Sequence, residues 1–295
     1  DRNVQITAAE KVKVDIDSGA VGAGLGLGIG GSVAVLDMAA NVRAEVLGDS
    51  TITAEEGTIG IAARTSSPDA AVSVNAYQGS AGIAALGAAV STAQVTNNVT
   101  ARVGQGSVLH INNDSLANQG LVVLAHDGMA VNTKAYGAGV GLAAAGIVAA
   151  NAQRAGSVTA LVDDQTEVSL ASGLLSIKSL REGRTSAYSL AGAGGVHAGN
   201  ASVAQARETG LVQASIGQGV TITAPGGAVQ LEALAKPQIA ADSLGYGGAI
   251  FSAVGLSLAE AAADTKIKAT IGTGGEIEAD SLTVSALVQL AGTSP

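Results

Sequence analysis

One short phrase occurs five times in this 295-residue chain, at nearly constant spacing. It runs β-branched residue, polar, Ala, polar, aliphatic, and continues through a turn into a second short alternating run. The five copies open at Val42, Val99, Val158, Val212 and Ile267, so that consecutive copies are almost equally far apart. Such self-similarity is typical of repeat proteins, whose units pack mainly against their neighbours. The sequence therefore predicts a repeat array rather than independent domains.

Each copy lies between two other recurring segments. A Gly/Ala-rich apolar run precedes it, at 19–35, 79–90, 137–150, 191–204 and 245–258. A short alternating run follows it, at 59–63, 121–125, 174–177, 229–233 and 282–286. We place the units at approximately 4–68, 69–130, 131–186, 187–238 and 239–295.

Hydrophobic periodicity favours strands throughout. Val212, Ala214 and Ile216 alternate with polar residues, which is the pattern of a half-buried strand. The turns between such runs contain Gly and Asp, for example Gly48-Asp49.

The Gly/Ala runs are less uniform. In the first, Gly occupies one parity and large aliphatic residues the other, which predicts a strand with Leu25, Leu27 and Ile29 buried and a bare face close to another backbone. Residues 141–153 and 257–266 are Ala-rich and are also compatible with helix.

These patterns predict an all-β fold, a repetitive β-solenoid (β-helix) of about five ~56-residue units with Gly/Ala-rich strands. We expect the five phrase-opening residues to form one structural ladder. One wide coil per unit and two smaller coils per unit both fit the sequence.

A tyrosine recurs in each unit after the first. Tyr77, Tyr136, Tyr188 and Tyr246 lie at similar, though not identical, distances before the phrase that follows each of them. We expect an aromatic ladder at one corner of the solenoid. The alternative is a stripe that binds a sugar or another ligand.

Composition excludes several classes of protein. The chain has no Cys, so disulfide frameworks and thiolate metal sites are absent. Its net charge of −9 with scattered Lys and Arg argues against nucleic acid and anionic membrane surfaces. The uncharged run 19–35 is nearly half Gly and shorter than the stretch of about 20 residues that a spanning helix needs, so we expect no membrane span. Since the chain begins at Asp1, without Met, we expect a fragment or a processed product.

Candidate chemistry is sparse. His110, His126 and His197 do not share a repeat position, so stacking would not gather them, and we expect no catalytic residues. The glycines from Gly24 to Gly30 superficially match GxGxxG but occupy a strand, unlike a dinucleotide site. Carboxylates suited to Ca²⁺ occur in two places, Asp15 with Asp17 and Asp163 with Asp164, and we interpret them as solvated surface charge. We expect no metal and no cofactor.

The alternating Gly/Ala strands followed by phrases such as VQASIGQGVTITA resemble the repeat region of large secreted bacterial adhesins. Leukotoxin-type filamentous adhesins are the nearest class, and the filamentous haemagglutinin group is more distant. The resemblance covers all five phrases and implies an extracellular filament at the bacterial cell surface.

On this basis we expect a structural stalk or fibre segment without catalysis. Its expected partners are neighbouring repeats and, end to end, further copies, with a receptor that the sequence does not identify. Two alternatives are a polysaccharide-acting enzyme on a β-helix and an ice-binding solenoid, whose Thr ladder would include Thr51, Thr53, Thr221 and Thr223.

Overall fold

The computed structural model describes residues 3–55, 57–65, 71–112 and 120–290. Within these ranges the regular structure is entirely β, in one sheet system of fourteen strands. The strands are β1 (Val4–Glu10), β2 (Val14–Ala23), β3 (Leu27–Val46), β4 (Thr51–Ala54), β5 (Ile59–Thr65), β6 (Ala71–Ala81), β7 (Ala84–Val103), β8 (Val108–Ile111), β9 (Leu121–Asp127), β10 (Ala130–Val162), β11 (Glu167–Leu170), β12 (Leu174–Ile216), β13 (Thr221–Ile271) and β14 (Glu276–Val288). The predicted unit boundary at 68/69 and the last residues, 291–295, lie outside the described ranges.

Every strand pairing is parallel and joins one repeat to the next. Val4 pairs with Ile59, and Val229 pairs with Leu282, so that each residue meets a partner one repeat period further along the chain. Parallel pairing at this separation means that one repeat makes one complete turn. The predicted all-β solenoid is confirmed, and of the two geometries left open the structure has the wide coil.

The apolar interior of the coil has three parts. The widest is lined by Val, Ile and Leu from the repeat phrases and the short runs after them, such as Val158, Ile177 and Ile222. A second part contains mainly Ala and Val, including Ala89 and Val148. The third contains only Ala among its buried members: Ala85, Ala144, Ala193 and Ala198. The side chains become smaller along this direction, so the coil narrows from a wide body to a thin extension.

One corner of the coil requires a positive φ in every turn. Asp49, Gly106, Gln165, Gly219 and Gly274 each follow the paired phrase strand by three residues and have φ between 56° and 75°. The backbones of these corners are also hydrogen-bonded between turns, for example Asp49 N to Gln105 O at 2.8 Å. Glycine adopts this conformation without the Cβ conflict that Asp49 and Gln165 face.

The Gly/Ala runs are strands, including the Ala-rich residues 141–153 within β10 and 257–266 within β13. The expectation that Leu25, Leu27 and Ile29 are buried is wrong: they are 99 %, 56 % and 63 % exposed, and Leu25 lies in the turn between β2 and β3. The glycine face points inward instead. A Cβ on Gly22 would overlap the carbonyl of Ile29, so the two layers are too close to hold a leucine between them.

Candidate interaction surface

The thin extension, which we call the fin, comprises residues 18–34, 76–91, 135–150, 189–204 and 243–259. In each turn the chain runs out along one layer and returns along the other, and the register aligns the five segments. All 15 Lys and Arg and all 24 Asp and Glu of the chain lie outside these segments. His197 is the one titratable imidazole within them.

Large apolar side chains of the fin point outward on both layers. Val21 is 86 % exposed on the outgoing layer, and Ile29 and Val33 are 63 % and 64 % exposed on the returning layer. Each turn also places an aliphatic or aromatic residue at or beside the tip. These residues are Leu25, Ile83, Leu142, Val196, Ile250 and Phe251. The fin is therefore apolar on two faces and along its edge.

Backbone groups at the tip are hydrogen-bonded between the first three turns, whereas the register shifts at the tip between the fourth and fifth turns, at Gly195 and His197. Gly24 N donates to Ala81 O at 3.0 Å, and Gly82 N donates to Val140 O at 3.1 Å. On the returning side, Ala143 N donates to Ile83 O at 3.0 Å. Backbone groups outside a strand ladder need side chains, water or other backbone groups as partners, and here the neighbouring turn supplies backbone partners.

The interior of the fin is filled by small residues and two amides. Gln78 and Asn200 are each 7 % exposed, and the space around each is left by glycines, including Gly87 beside Gln78 and Gly245 beside Asn200. Neither amide has a hydrogen-bond partner among the described residues. Packing, rather than polar pairing, holds them there.

Three of the four predicted ladder tyrosines are in contact. The rings of Tyr77 and Tyr136 are parallel with centroids 5.3 Å apart, and Tyr188 follows at 5.5 Å with a tilt of 43°. Tyr246 is displaced, because it pairs in register with Gly192, four residues beyond Tyr188. The expected four-membered ladder is thus wrong in its last member, since the unequal spacing to the phrase and the bulge between Gly195 and His197 together change the register.

The five phrase-opening residues pair in order. Val42 pairs with Val99, Val99 with Val158, Val158 with Val212, and Val212 with Ile267. All except Ile267 are buried, and Ile267 packs against the same core from the last paired strand. This ladder is the axis along which the repeats stack.

The two ends of the stack have strands paired on one side only. Among the described residues, β1, β2, β3 and β4 pair only with strands of the second turn, and β14 pairs only with β13. Val284 of β14 lies beside buried Leu231 yet is 44 % exposed, because no described strand covers it from the other side. Both ends therefore present open strand edges and uncovered core.

A cluster of charges is buried between the part of the interior lined by Val, Ile and Leu and the part that contains mainly Ala and Val. Asp127, Arg154, Arg181 and Glu208 have side chains that are at most 1 % exposed. Arg154 Nη2 lies 2.9 Å from Asp127 Oδ2, and Arg181 Nε lies 3.6 Å from the same oxygen. Asp127 Oδ1 accepts hydrogen bonds from Thr65 Oγ1 at 2.7 Å and Asn97 Nδ2 at 3.2 Å. Burial of ions is costly unless they are paired in this way.

Glu208 is the less well satisfied carboxylate of the cluster. Its Oε2 is 4.0 Å from Arg154 Nη1, and neither of its oxygens accepts a hydrogen bond among the described residues. Burial therefore raises the pKa of Glu208, and Asp127 raises it further, although Arg154 and Arg181 act in the opposite direction. The pKa of Asp127 is lowered despite its own burial, because Arg154 and Arg181 stabilise the carboxylate.

This cluster was not predicted from the sequence, although the repeat pattern contains a signal of it. Asp127 and Arg181 are paired in register, as are Arg154 and Glu208. Each pair therefore places opposite charges at equivalent positions of neighbouring repeats, one period apart in the sequence.

The histidines and the acidic pairs that the sequence offers as candidate sites are dispersed. His126 Nε2 contacts Glu182 at 2.9 Å, and His197 Nδ1 contacts Ser252 at 2.8 Å, while His110 lies in a separate strand, β8. Asp17 accepts a bond from Asn75, Asp163 contacts Arg102, and Asp164 accepts the Gln218 N–H. The two Thr rows of the TxT motifs are interrupted in the intervening turns: Val108 and Glu167 lie between Thr51 and Thr221, and His110 and Ser169 lie between Thr53 and Thr223.

Across the described ranges, the chain forms no group of three or more His, Asp or Glu side chains suited to a metal ion. Nor do those ranges include a helix long and apolar enough to cross a membrane.

No family model, no curated protein and no solved structure matches this chain.

Proposed function

We propose that this chain is a structural segment of a long extracellular fibre of the bacterial adhesin type, and that it carries no reaction of its own. The observation that supports this most is the uninterrupted parallel ladder, from Val42 to Ile267, which ends in strands paired on one side only. Such strands accept further turns, either of the same chain or of another copy.

Several properties suit an exported fibre. Each turn adds about 4.8 Å of length, and the corners are hydrogen-bonded between turns, so extension leaves few unpaired groups along the sides. The net charge of −9 favours solubility. A chain without Cys needs no oxidative folding after export. The resemblance of the repeat phrase to large secreted adhesins supports the same location.

End-to-end association is the property to test. Val284→Lys places a charge over the uncovered core at the end of the stack, whereas Thr283→Lys adds the same charge on the outward side of the same strand. In sedimentation velocity we expect the parent protein and the Thr283→Lys variant to associate with rising concentration, and Val284→Lys to associate much less. Electron microscopy should show the associated species as rods of constant width. A parent protein that stays monomeric at high concentration would contradict the proposal.

A further inference from the structure

The fin presents an outward surface that is apolar over nearly its whole area. Beyond the outermost charged row of the outgoing layer, which contains Asp17, Lys134 and Asp242, the outward positions carry only Gly, Ala, Val, Leu, Ile, Phe and Tyr. On the returning layer the outward positions are similar, and His197 and Ser252 are the polar exceptions. These two side chains contact each other at 2.8 Å. A continuous apolar surface of this kind marks an interaction site.

Its shape restricts what can cover it. The fin is apolar on both layers and along the tip, where Leu25 and Phe251 are 99 % and 79 % exposed. A second copy packed face to face would cover one layer and leave the other in water. Lipid hydrocarbon surrounds an inserted element and covers both layers and the tip at once.

Backbone pairing is compatible with such an environment. Hydrocarbon offers no water to unpaired N–H and C=O groups, so irregular turns are normally excluded from it. At the tip, the bonds from Gly24 N to Ala81 O and from Gly82 N to Val140 O supply partners from the neighbouring turn. The fin strands of the second, third and fourth turns are paired on both sides, so unpaired edges are confined to the two ends of the stack.

The length of the fin and the position of the charged row that borders it also match the dimensions of a lipid layer. The outgoing strand from Asp17 to Leu25 would span about 26 Å if fully extended. A hydrocarbon core is about 30 Å thick, so the apolar tip would remain inside it and would need no polar group on the far side. Tyr77 and Tyr136 lie next to the charged row, at the level where aromatic side chains meet lipid headgroups.

We propose that the fin inserts into the hydrocarbon of a zwitterionic lipid layer and anchors the solenoid to it by its edge. Electroneutral phosphatidylcholine fits better than an anionic lipid, because the rows that border the fin include Asp17, Asp242 and Glu260 and the whole chain is acidic. This inference does not rest on the fibre role, since it concerns the side of the stack and not its ends.

Flotation with vesicles tests the proposal. The protein is mixed with vesicles of pure phosphatidylcholine and of equimolar phosphatidylcholine and phosphatidylserine. We expect it to float with both and to bind more strongly to the neutral ones. The double substitution Leu25→Glu with Leu142→Glu, at two exposed tip positions, should reduce binding by at least about tenfold. The matched control, Leu47→Glu with Leu290→Glu, changes two exposed leucines outside the fin and should bind like the parent protein.

A spectroscopic reporter locates the contact. The chain has no Trp, so Phe251→Trp places a single indole at the tip and Leu47→Trp places one on the wide body. With phosphatidylcholine vesicles we expect a blue shift and quenching by brominated acyl chains for the first variant alone. Circular dichroism checks that every variant keeps its strand content.

Three outcomes would overturn the proposal: absence of flotation, equal binding by the tip and control variants, or a lipid-free dimer that the tip substitutions dissociate while no variant binds vesicles. Because Val284→Lys alters the end of the stack and not the fin, it should leave flotation unchanged. Loss of end-to-end association and loss of lipid binding are therefore distinguishable.

Discussion

Asp127 and Arg154 form an ion pair in the interior of the coil, with Nη2 of Arg154 2.9 Å from Oδ2 of Asp127 and both side chains fully buried. Arg154 also donates to the backbone oxygens of Asp127 and Glu182, at 3.0 and 2.8 Å. These bonds join the two layers of the coil between the first and second parts of its apolar interior. The pair thus ties two layers together where the hydrophobic interior is interrupted.

We expect Asp127→Asn to destabilise the fold by about 3–5 kcal/mol, since it leaves the two buried cations Arg154 and Arg181 with Glu208 as the only remaining carboxylate of the cluster. Urea unfolding followed by circular dichroism measures the change. Asp15→Asn removes a carboxylate that is 55 % exposed and 3.9 Å from Lys13, and should change stability by less than about 0.5 kcal/mol. Equal effects of the two substitutions would refute the role given to the buried pair.

Glu208 and Asp127 make the stability of the fold depend on pH in opposite directions. Burial raises the pKa of Glu208 in the folded protein above the ordinary value of 4.5, so its contribution to stability is present below that value and is lost as the pH rises through the folded pKa. The pKa of Asp127 is lowered, so its contribution is present above the ordinary value of 3.8 and is lost as the pH falls through the folded pKa.

The test compares the free energy of unfolding of the parent protein and the Glu208→Gln variant between pH 4 and pH 8. We expect the variant to lack part of the fall in stability that the parent shows as the pH rises above about 4.5. Glu260→Gln, an exposed carboxylate on the next turn, should follow the parent curve. If the free energy of unfolding varied with pH in the same way for the parent and Glu208→Gln, burial would not raise the pKa of Glu208.

Close approach of the two fin layers can be tested on a single strand. Gly28 and Gly31 both lie in β3, but a Cβ on Gly28 would overlap the carbonyl oxygen of Ala81, whereas a Cβ on Gly31 would point into open space. We expect Gly28→Ala to cost about 1–3 kcal/mol and Gly31→Ala to be neutral or slightly stabilising. Thermal unfolding midpoints give the comparison, and equal midpoints would contradict the geometry of the fin.

The corner with positive φ offers a stabilising change. Gln165 occupies a position that Gly106, Gly219 and Gly274 fill in other turns. Gln165→Gly should raise stability by about 1 kcal/mol because it removes the left-handed strain of a residue with a Cβ. Gln105→Gly deletes the same exposed hydrogen bond between Gln105 and Gln165 without relieving strain, so it should not stabilise. If both variants gain stability in urea unfolding, the strain argument fails.

The stacking of repeats was predictable from the sequence because Val158 and its equivalents recur in nearly identical surroundings. Parallel pairing then follows from the repeat period itself. The wide coil was not predictable, since alternation within a strand says nothing about how far away its partner lies in the chain.

The sequence pattern also does not predict which face of the fin strands points inward. Alternation separates Leu27 and Ile29 from Gly28 and Gly30, but it does not say which set faces inward. That choice depends on the opposite layer. Gly22 of β2 and Gly28 of β3 let the two backbones approach so closely that no larger residue fits between them. A charge-free run in every repeat was the available signal that the large side chains line an exposed apolar surface.

Predicting the buried charge cluster requires the repeat period, which the sequence contains, and the path of the coil, which only the structure shows. The repeat period pairs Asp127 with Arg181 and Arg154 with Glu208, and this part can be seen in the sequence. The contact between the two pairs depends on the narrowing of the coil, which places β9 opposite the returning part of β10.

Disulfide trapping is the most direct test of whether each repeat forms one turn of the coil in parallel register with the next. The chain has no Cys of its own, and Thr100 pairs with Thr159, which pairs with Gln213. Neighbouring parallel strands lie about 4.8 Å apart, within the Cα separation that a disulfide allows, while positions two strands apart are about 10 Å from each other. We expect the variant with Thr100→Cys and Thr159→Cys to form an intramolecular disulfide under mild oxidation, and the variant with Thr100→Cys and Gln213→Cys to form none. A disulfide in the second variant, or none in the first, would contradict this register.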